Sequence, residues 1–210
     1  MVNARAVRQV LAIAFAALAS TAAHASPNEP PVEVKGRISA LKPPPPPQGF
    51  NWVLLDELGA AVVVPDGWHR FAKTGPGARV AAFSPAPLRS DGTFETGFTL
   101  QLLWNPRGKE AGGILAVAYT IIGEIDQNKR DNTPLQRGTM EERMGRKVVI
   151  TRHRNAPPGL IPIVVHRMLI IDEKQSLLYM AIFESPESSW SENWKIGEEI
   201  LRRIVIAFTQ

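Results

Sequence analysis

Past residue 25 the chain carries three histidines, His69, His153 and His166. None lies in an H-E-x-x-H arrangement, and none has a histidine or carboxylate at metal-ligand spacing. Asn155–Gly159, with its two prolines, reads as a loop. If that loop is the heart of a hairpin, His153 and His166 lie opposite each other, with Cβ atoms about 4.5–5.5 Å apart. Two imidazoles that close could share a transition metal. The sequence offers no third or fourth ligand, so the pair reads as a chance cross-strand neighbour and no metal site is assigned.

The arginines say more. Arg143, Arg146, Lys147, Arg152, Arg154 and Arg167 fall on three successive strand segments. Arg152 and Arg154 project to the same side of their strand, and the same hairpin would set Arg167 opposite Arg152. Such a group could hold an anionic polymer, lipid headgroups or an acidic partner. The plainer reading is a solvated face balanced by Glu141, Glu142 and Asp172. Arg167 lies among Val165, Leu169 and Ile171, and an arginine on an apolar face must find a partner or reach solvent. Arg152, Arg154 and Arg167 are therefore the candidate contacts for an anion or a partner.

Other chemistries leave no mark. A serine nucleophile needs a base and an orienting acid, yet there is no G-x-S-x-G elbow, and Ser84 sits unmarked before a proline. The glycines from Gly108 to Gly113 do not spell a phosphate-binding loop. No pair of carboxylates is marked for sugar hydrolysis. The absence of cysteine removes disulfides, zinc–thiolate sites, iron–sulfur clusters and cysteine nucleophiles together. No catalytic, cofactor-binding or metal residue is assigned, and an enzyme is the less favoured reading. Charge also argues against nucleic acid: Arg5 and Arg8 of the 24 basic residues lie in the leader, leaving 22 against 20 acids.

The elements that position these residues are clearest at the end of the chain. Leu177 to Phe183 alternates two apolar faces, which predicts a strand covered on both sides and ended at Glu184-Ser185-Pro186. Ser189-x-x-Glu192 reads as a capping box. The helix it opens has an inner stripe of Trp190, Trp194, Gly197, Ile200 or Leu201, and Ile204. Its outer face pairs Glu198 with Arg202 and Glu199 with Arg203. The tryptophans could form an aromatic cage or stacking platform, but this spacing favours core packing on a sheet.

The start of the chain is different. Met1 to Ala25 reads as a secretory signal: Arg5 and Arg8, an apolar run from Val10 to Ala19, then Ala23-His24-Ala25 as a small-x-small cleavage site. The run is short for a membrane span, with an uncleaved anchor as the alternative. The arginines are not adjacent, so twin-arginine export is not supported, and a periplasmic or secreted location follows. Ser26 to Gly49 is a proline-rich tether in which Pro43 to Pro47 make a stiff spacer of roughly 15 Å; a proline-recognition ligand is the other reading. Val32 to Leu41 is a candidate short strand.

Residues 50–210 read as one globular domain. Asn51 to Pro65 forms a hairpin about Asp56–Gly59, followed by a turn at Pro65-Asp66-Gly67 and short strands to Ala72 and over Val80 to Phe83. Phe94 to Trp104 is a longer strand with one core face and one mixed. Asn105-Pro106 starts a helix over Lys109 to Lys129, with Ile114, Ala118, Ile121 or Ile122, and Ile125 inside. Leu135 to Met144 and Arg146 to Arg154 pair across Gly145. Ile161 to Asp172 is the next strand, and Glu173–Gln175 turns into the last. Short turns make these strands antiparallel neighbours, so the class is α+β: an antiparallel sheet with helices packed on it.

This pattern resembles the PsbP-like fold, an α/β/α sandwich. The resemblance lies in VVVPDGW (Val62 to Trp68), VAAFSP (Val80 to Pro85), and LYMAIFESP followed by W-x-x-x-W and an Ile/Leu helix. It covers roughly Phe50 to Ile206, and it implies a bacterial exported, non-catalytic binding or assembly module. No metal-binding histidine carries over. The expected function is an exported assembly-factor or binding domain of the bacterial cell envelope with an envelope protein partner, and with peripheral contact to membrane or cell wall as a further possibility. The alternatives are a small-ligand carrier using the cleft between helix and sheet, and an envelope enzyme with an unrecognised site or a metal-dependent one using His153 and His166. No cofactor is expected.

Overall fold

The computed structural model describes residues 43–75, 77–89, 93–104, 113–127, 131–136, 138–143 and 145–207. The expected signal segment, the expected tether up to residue 42 with its candidate strand Val32 to Leu41, and the expected helix start at Asn105-Pro106 lie outside them. Among the described residues, eleven strands and two α-helices follow in the order β1 (Phe50–Leu55), β2 (Ala60–Pro65), β3 (His69–Gly75), β4 (Ala78–Ser84), β5 (Gly97–Trp104), α1 (Gly113–Gln127), β6 (Asn132–Gln136), β7 (Met140–Arg143), β8 (Arg146–Asn155), β9 (Ile163–Asp172), β10 (Leu177–Pro186), α2 (Trp190–Arg202) and β11 (Val205–Ile206).

The strands form two antiparallel sheets. The smaller has the order β1-β2-β11; the larger runs β3-β4-β5-β10-β9-β8-β6, with β7 also paired to β8. As the two apolar faces of Leu177–Phe183 predict, β10 is central, paired to β5 and β9 and buried along nearly its whole length. One face of the large sheet packs on the small sheet and α2 through Leu55, Leu58, Val62, Phe83, Phe98, Leu102, Tyr179, Phe183 and Ile200. The Tyr179 hydroxyl spans this layer and donates to the Leu58 carbonyl at 2.8 Å. The other face packs on α1, whose Ile114, Ala118 and Ile121 meet Leu103, Leu169, Ile171, Leu178 and Met180.

Four expectations are corrected. Leu135 to Met144 is not one strand: β6 and β7 both lie along β8, and the register shifts between Pro134 and Gln136. Pro134 brings no N–H to the ladder. Gly138 then crosses so close to β8 that a Cβ there would stand 2.7 Å from Val149 Cγ1. Ser189 precedes α2 but makes no capping hydrogen bond; a 3-10 turn over Glu187–Ser189 leads into the helix, and the hydroxyl meets Pro186 O and Asn193 Nδ2 instead. Arg202 and Arg203 both pair with Glu199, leaving Glu198 to face Arg152. Both faces of β5 are buried, Thr99 and Gln101 included. The end of the proline tract is docked on β1, where Trp52 Nε1 donates to the Pro44 carbonyl at 2.8 Å.

Candidate functional site

The β8–β9 hairpin decides where the candidate residues go. Its register sets His166 across from Arg152, His153 across from Val165, and Arg167 across from Thr151. A slip of one residue exchanges the faces of a strand. His153 and His166 therefore point to opposite sides of the sheet and share no metal. Arg167 likewise lies on the far face from Arg152 and Arg154, so the three arginines are not one cluster. Among the described residues, no group of three His, Asp or Glu side chains comes together as a metal site.

Arg152 and Arg154 sit on the α2 face. Arg152 stacks on Trp194, 4.2 Å from the ring centroid, and on Trp190 at 5.3 Å, and its Nε donates to His166 Nδ1 at 3.2 Å. His166 packs 4.5 Å from Trp194. The two tryptophans are thus core packing, with the cation–π position taken by the protein's own arginine. Arg154 grips both oxygens of Glu187. The rest of the basic group is paired too: Arg143 with Glu141, Arg146 with Asp172, Lys147 with Glu173. Ser84 Oγ bonds to the Ala86 carbonyl, and His69 is exposed on β3.

The α1 face holds Arg167 and His153 together with three residues the sequence did not mark, Gln101, Thr151 and Glu184. Pairing ranks its residues in rows. Glu184, Val165 and His153 form one row; Thr99, Ile182, Arg167 and Thr151 the next; Gln101, Met180, Leu169 and Val149 a third. The third row and those beyond it are largely apolar and lie under α1. The first two rows carry polar side chains that are nonetheless buried: His153 is 4% exposed, Arg167 6% and Glu184 7%, and in the third row Gln101 is 1% exposed. Beyond them Asn155 Nδ2 donates to Asn132 Oδ1 at 2.7 Å.

Segments fold over both flanks of this polar end. On one side Phe94 and Leu88 pack on Ala82 of β4. Gly97, which pairs with Glu184, gives Phe94 the room: a Cβ there would meet its ring at 2.6 Å. On the other side Gly138 crosses over Thr151. Helix α1 contributes Glu124, whose charge reaches Arg167.

Within this frame Gln101 Oε1 and Nε2, Thr151 Oγ1, His153 Nδ1 and Arg167 Nε are buried without a hydrogen-bond partner. A buried donor or acceptor left unsatisfied costs about 1–3 kcal/mol, and native folds rarely carry several together. Arg167 and Glu184 share the face but form no ion pair with each other among the salt bridges of the described residues. Burial pushes the Glu184 carboxyl up to about 8, with Arg167 opposing. Burial lowers Arg167 to about 10, against the pull of Glu184 and Glu124. His153 falls to about 4 through burial and then Arg167. His166, on the other face, falls to about 4 through burial and then Arg152. At neutral pH the polar end of the α1 face holds a charged guanidinium, a neutral acid and a neutral imidazole.

These shifts set a stability profile. The charged group acting on Glu184 is Arg167 on β9, itself reached by Glu124 of α1; His153 on β8 shares the row of Glu184, and Gly97 and Thr99 of β5 carry no charge. Glu184 is raised from 4.5, so its contribution is full below pH 4.5 and is lost as pH rises to about 8. The two histidines are depressed from 6.5, so theirs is full above pH 6.5 and is lost as pH falls to about 4. Two groups outweigh one below pH 6.5, and Glu184 acts alone above it. Urea denaturation is expected to show greatest stability near pH 6.5, and Glu184→Gln to flatten the decline between pH 6.5 and 8. A wild-type curve rising through pH 8 would contradict the assignment.

No family model matches the chain, and no curated protein matches it. Solved structures do. The cyanobacterial PsbP (CyanoP) of Synechocystis sp. PCC 6803 aligns over 75% of this chain and 92% of its own, with 10% identity and a TM-score of 0.51. The chain has the PsbP-like fold. The Ran-binding protein Mog1p of Saccharomyces cerevisiae follows at TM-score 0.47 and 13% identity, over 76% of this chain and 96% of its own. LpqN of Mycobacterium tuberculosis, involved in cell envelope biogenesis, aligns at 0.47 and 13%, over 70% and 83%. Identities this low speak to architecture alone, and function must come from the site. The expected class, an antiparallel sheet with helices on it, is the one found.

Proposed function

We propose that this PsbP-like chain is an exported, non-catalytic binding domain of the bacterial cell envelope, and that it acts as a carrier, holding a small polar ligand on the α1 face. The observation that carries this is the set of partnerless buried atoms on Gln101, Thr151, His153 and Arg167. A folded domain gains from a molecule that satisfies them, and such a molecule stabilises the fold by mass action. The basic start, short apolar run and small-x-small site before Ser26 support export and periplasmic release near Ala25. The surface arginines offer less to a protein partner, since Arg152 is stacked on two tryptophans and Arg154 is held by Glu187.

Native mass spectrometry of the protein purified from the periplasm tests this. A discrete added mass that leaves on denaturation, and is missing from a Gln101→Leu variant of native circular dichroism, is the expected result. The bare protein mass throughout would return the binding reading to a macromolecular partner.

A further inference from the structure

The chemistry of the α1 face narrows the ligand, given the reading of that face as a ligand site. Arg167 is its anchor. The guanidinium is fixed by a central strand, is 6% exposed, and has a partnerless Nε–H. It forms no ion pair with Glu184, which is placed diagonally on the neighbouring strand. The one carboxylate whose charge reaches it from α1, Glu124, is exposed and forms no ion pair with it, and a buried charge without a directly bonded partner is costly, so the face favours a ligand that brings one negative charge. A cation would add repulsion. A dianion would leave a second charge uncompensated among buried groups. A planar anion with two oxygens matches the guanidinium fork best.

The neighbours agree. Thr151 stands directly across from Arg167, with Cβ atoms at about 5 Å in such a pair, and its partnerless hydroxyl can donate. Glu184 in its acid form can donate as well. Gln101 lies in the next row, two strands away, with both amide atoms partnerless, so it can read a hydroxyl or carbonyl at the far end of the molecule. We infer that the ligand is a small monocarboxylate whose carboxylate is held by Arg167, with Thr151 and Glu184 beside it and Gln101 at its polar end.

The experiment uses the exported protein, stripped of bound molecules and refolded, with acetate and lactate as probes and glycerol as the neutral control. Binding is read by calorimetry and by the Arg167 Nε–H resonance in the nitrogen–proton spectrum of the wild type. Lactate is expected to bind more tightly than acetate and to shift that resonance. Arg167→Gln is expected to weaken it about 10-fold or more, and Thr151→Val less. The resonance needs no substitution, so the test survives a variant that fails to fold. Carboxylate binding that leaves the resonance unmoved, or is unchanged in a folded Arg167→Gln, overturns the assignment. Binding of glycerol without the acids also overturns it but leaves the ligand-binding reading standing. No response to any probe, with a bare mass in native spectrometry, removes both.

Discussion

Arg167→Met is expected to leave the protein at least as stable as the wild type at pH 7, with a gain of up to about 2 kcal/mol, while removing carboxylate binding. Deleting one member of a buried ion pair usually costs about 3–5 kcal/mol, because the other charge is left buried alone. Here that reasoning does not apply. Arg167 and Glu184 share a face without an ion pair, and Glu184 holds its proton at neutral pH because burial raises it to about 8. The substitution therefore removes a desolvated charge and its partnerless Nε, and strands nothing charged on the sheet. The methionine fits among Val165, Leu169 and Ile182 and is adaptable in irregular space. Urea unfolding checks the stability and calorimetry the binding. The double variant with Glu184→Gln is expected to add its effects within about 0.5 kcal/mol. A loss of 3 kcal/mol or more for Arg167→Met would mean that the arginine is half of a structural pair.

Gly197→Ala is expected to destabilise by about 2 kcal/mol. The Phe183 ring lies flat against α2 at this glycine, and an added Cβ would stand 2.5 Å from two of its carbons. Phe183 is fully buried and packed by Trp190 and Trp194, so it has no free direction to retreat. Overpacking costs about 1–3 kcal/mol, and contact this close belongs at or above the top of that range. The better helix propensity of alanine returns about 1 kcal/mol. Gly123→Ala in α1 is the matched control: its Cβ meets nothing within 4 Å, so only the propensity gain applies, about 1 kcal/mol. Thermal melts should separate the pair by roughly 6–12 °C in a domain of this size. Equal melting temperatures would contradict the packing of α2 on β10.

Much of the architecture could be read from periodicity. The double-sided apolar run at Leu177–Phe183 and the stripe through Gly197 and Ile200 became the central strand and the closing helix, because alternation and helical spacing are local properties. The hairpin about Asp56–Gly59 and the turn at Gly67 followed from the same kind of signal. What failed depended on register. Whether Arg167 faces Thr151 or Arg152 turns on how many residues the loop before Ile163 takes up, and composition does not set that number. One residue of slip moved Arg167 to the other face and separated His153 from His166. The strand break at Gly138 was hidden for a similar reason, since its cause is close approach to Val149 and Thr151 on another strand. The polar end of the α1 face did leave a trace. Glu184 keeps the parity of Leu178, Met180 and Ile182, and Arg167 keeps that of Val165, Leu169 and Ile171. Polar residues in step with a core face point to a buried site, but only the sheet order brings Thr99, Gln101, Thr151 and His153 beside them.

The decisive measurement is a high-resolution crystal structure of the protein purified from its native cells without stripping. The predicted result is non-protein density of a small organic acid on the α1 face, with a carboxylate oxygen within hydrogen-bond distance of Arg167 Nε and a polar atom on the Gln101 amide. Arg167 Nε, Thr151 Oγ1 and Gln101 met by other side chains of the chain, or by water alone in crystals grown with lactate, would contradict it.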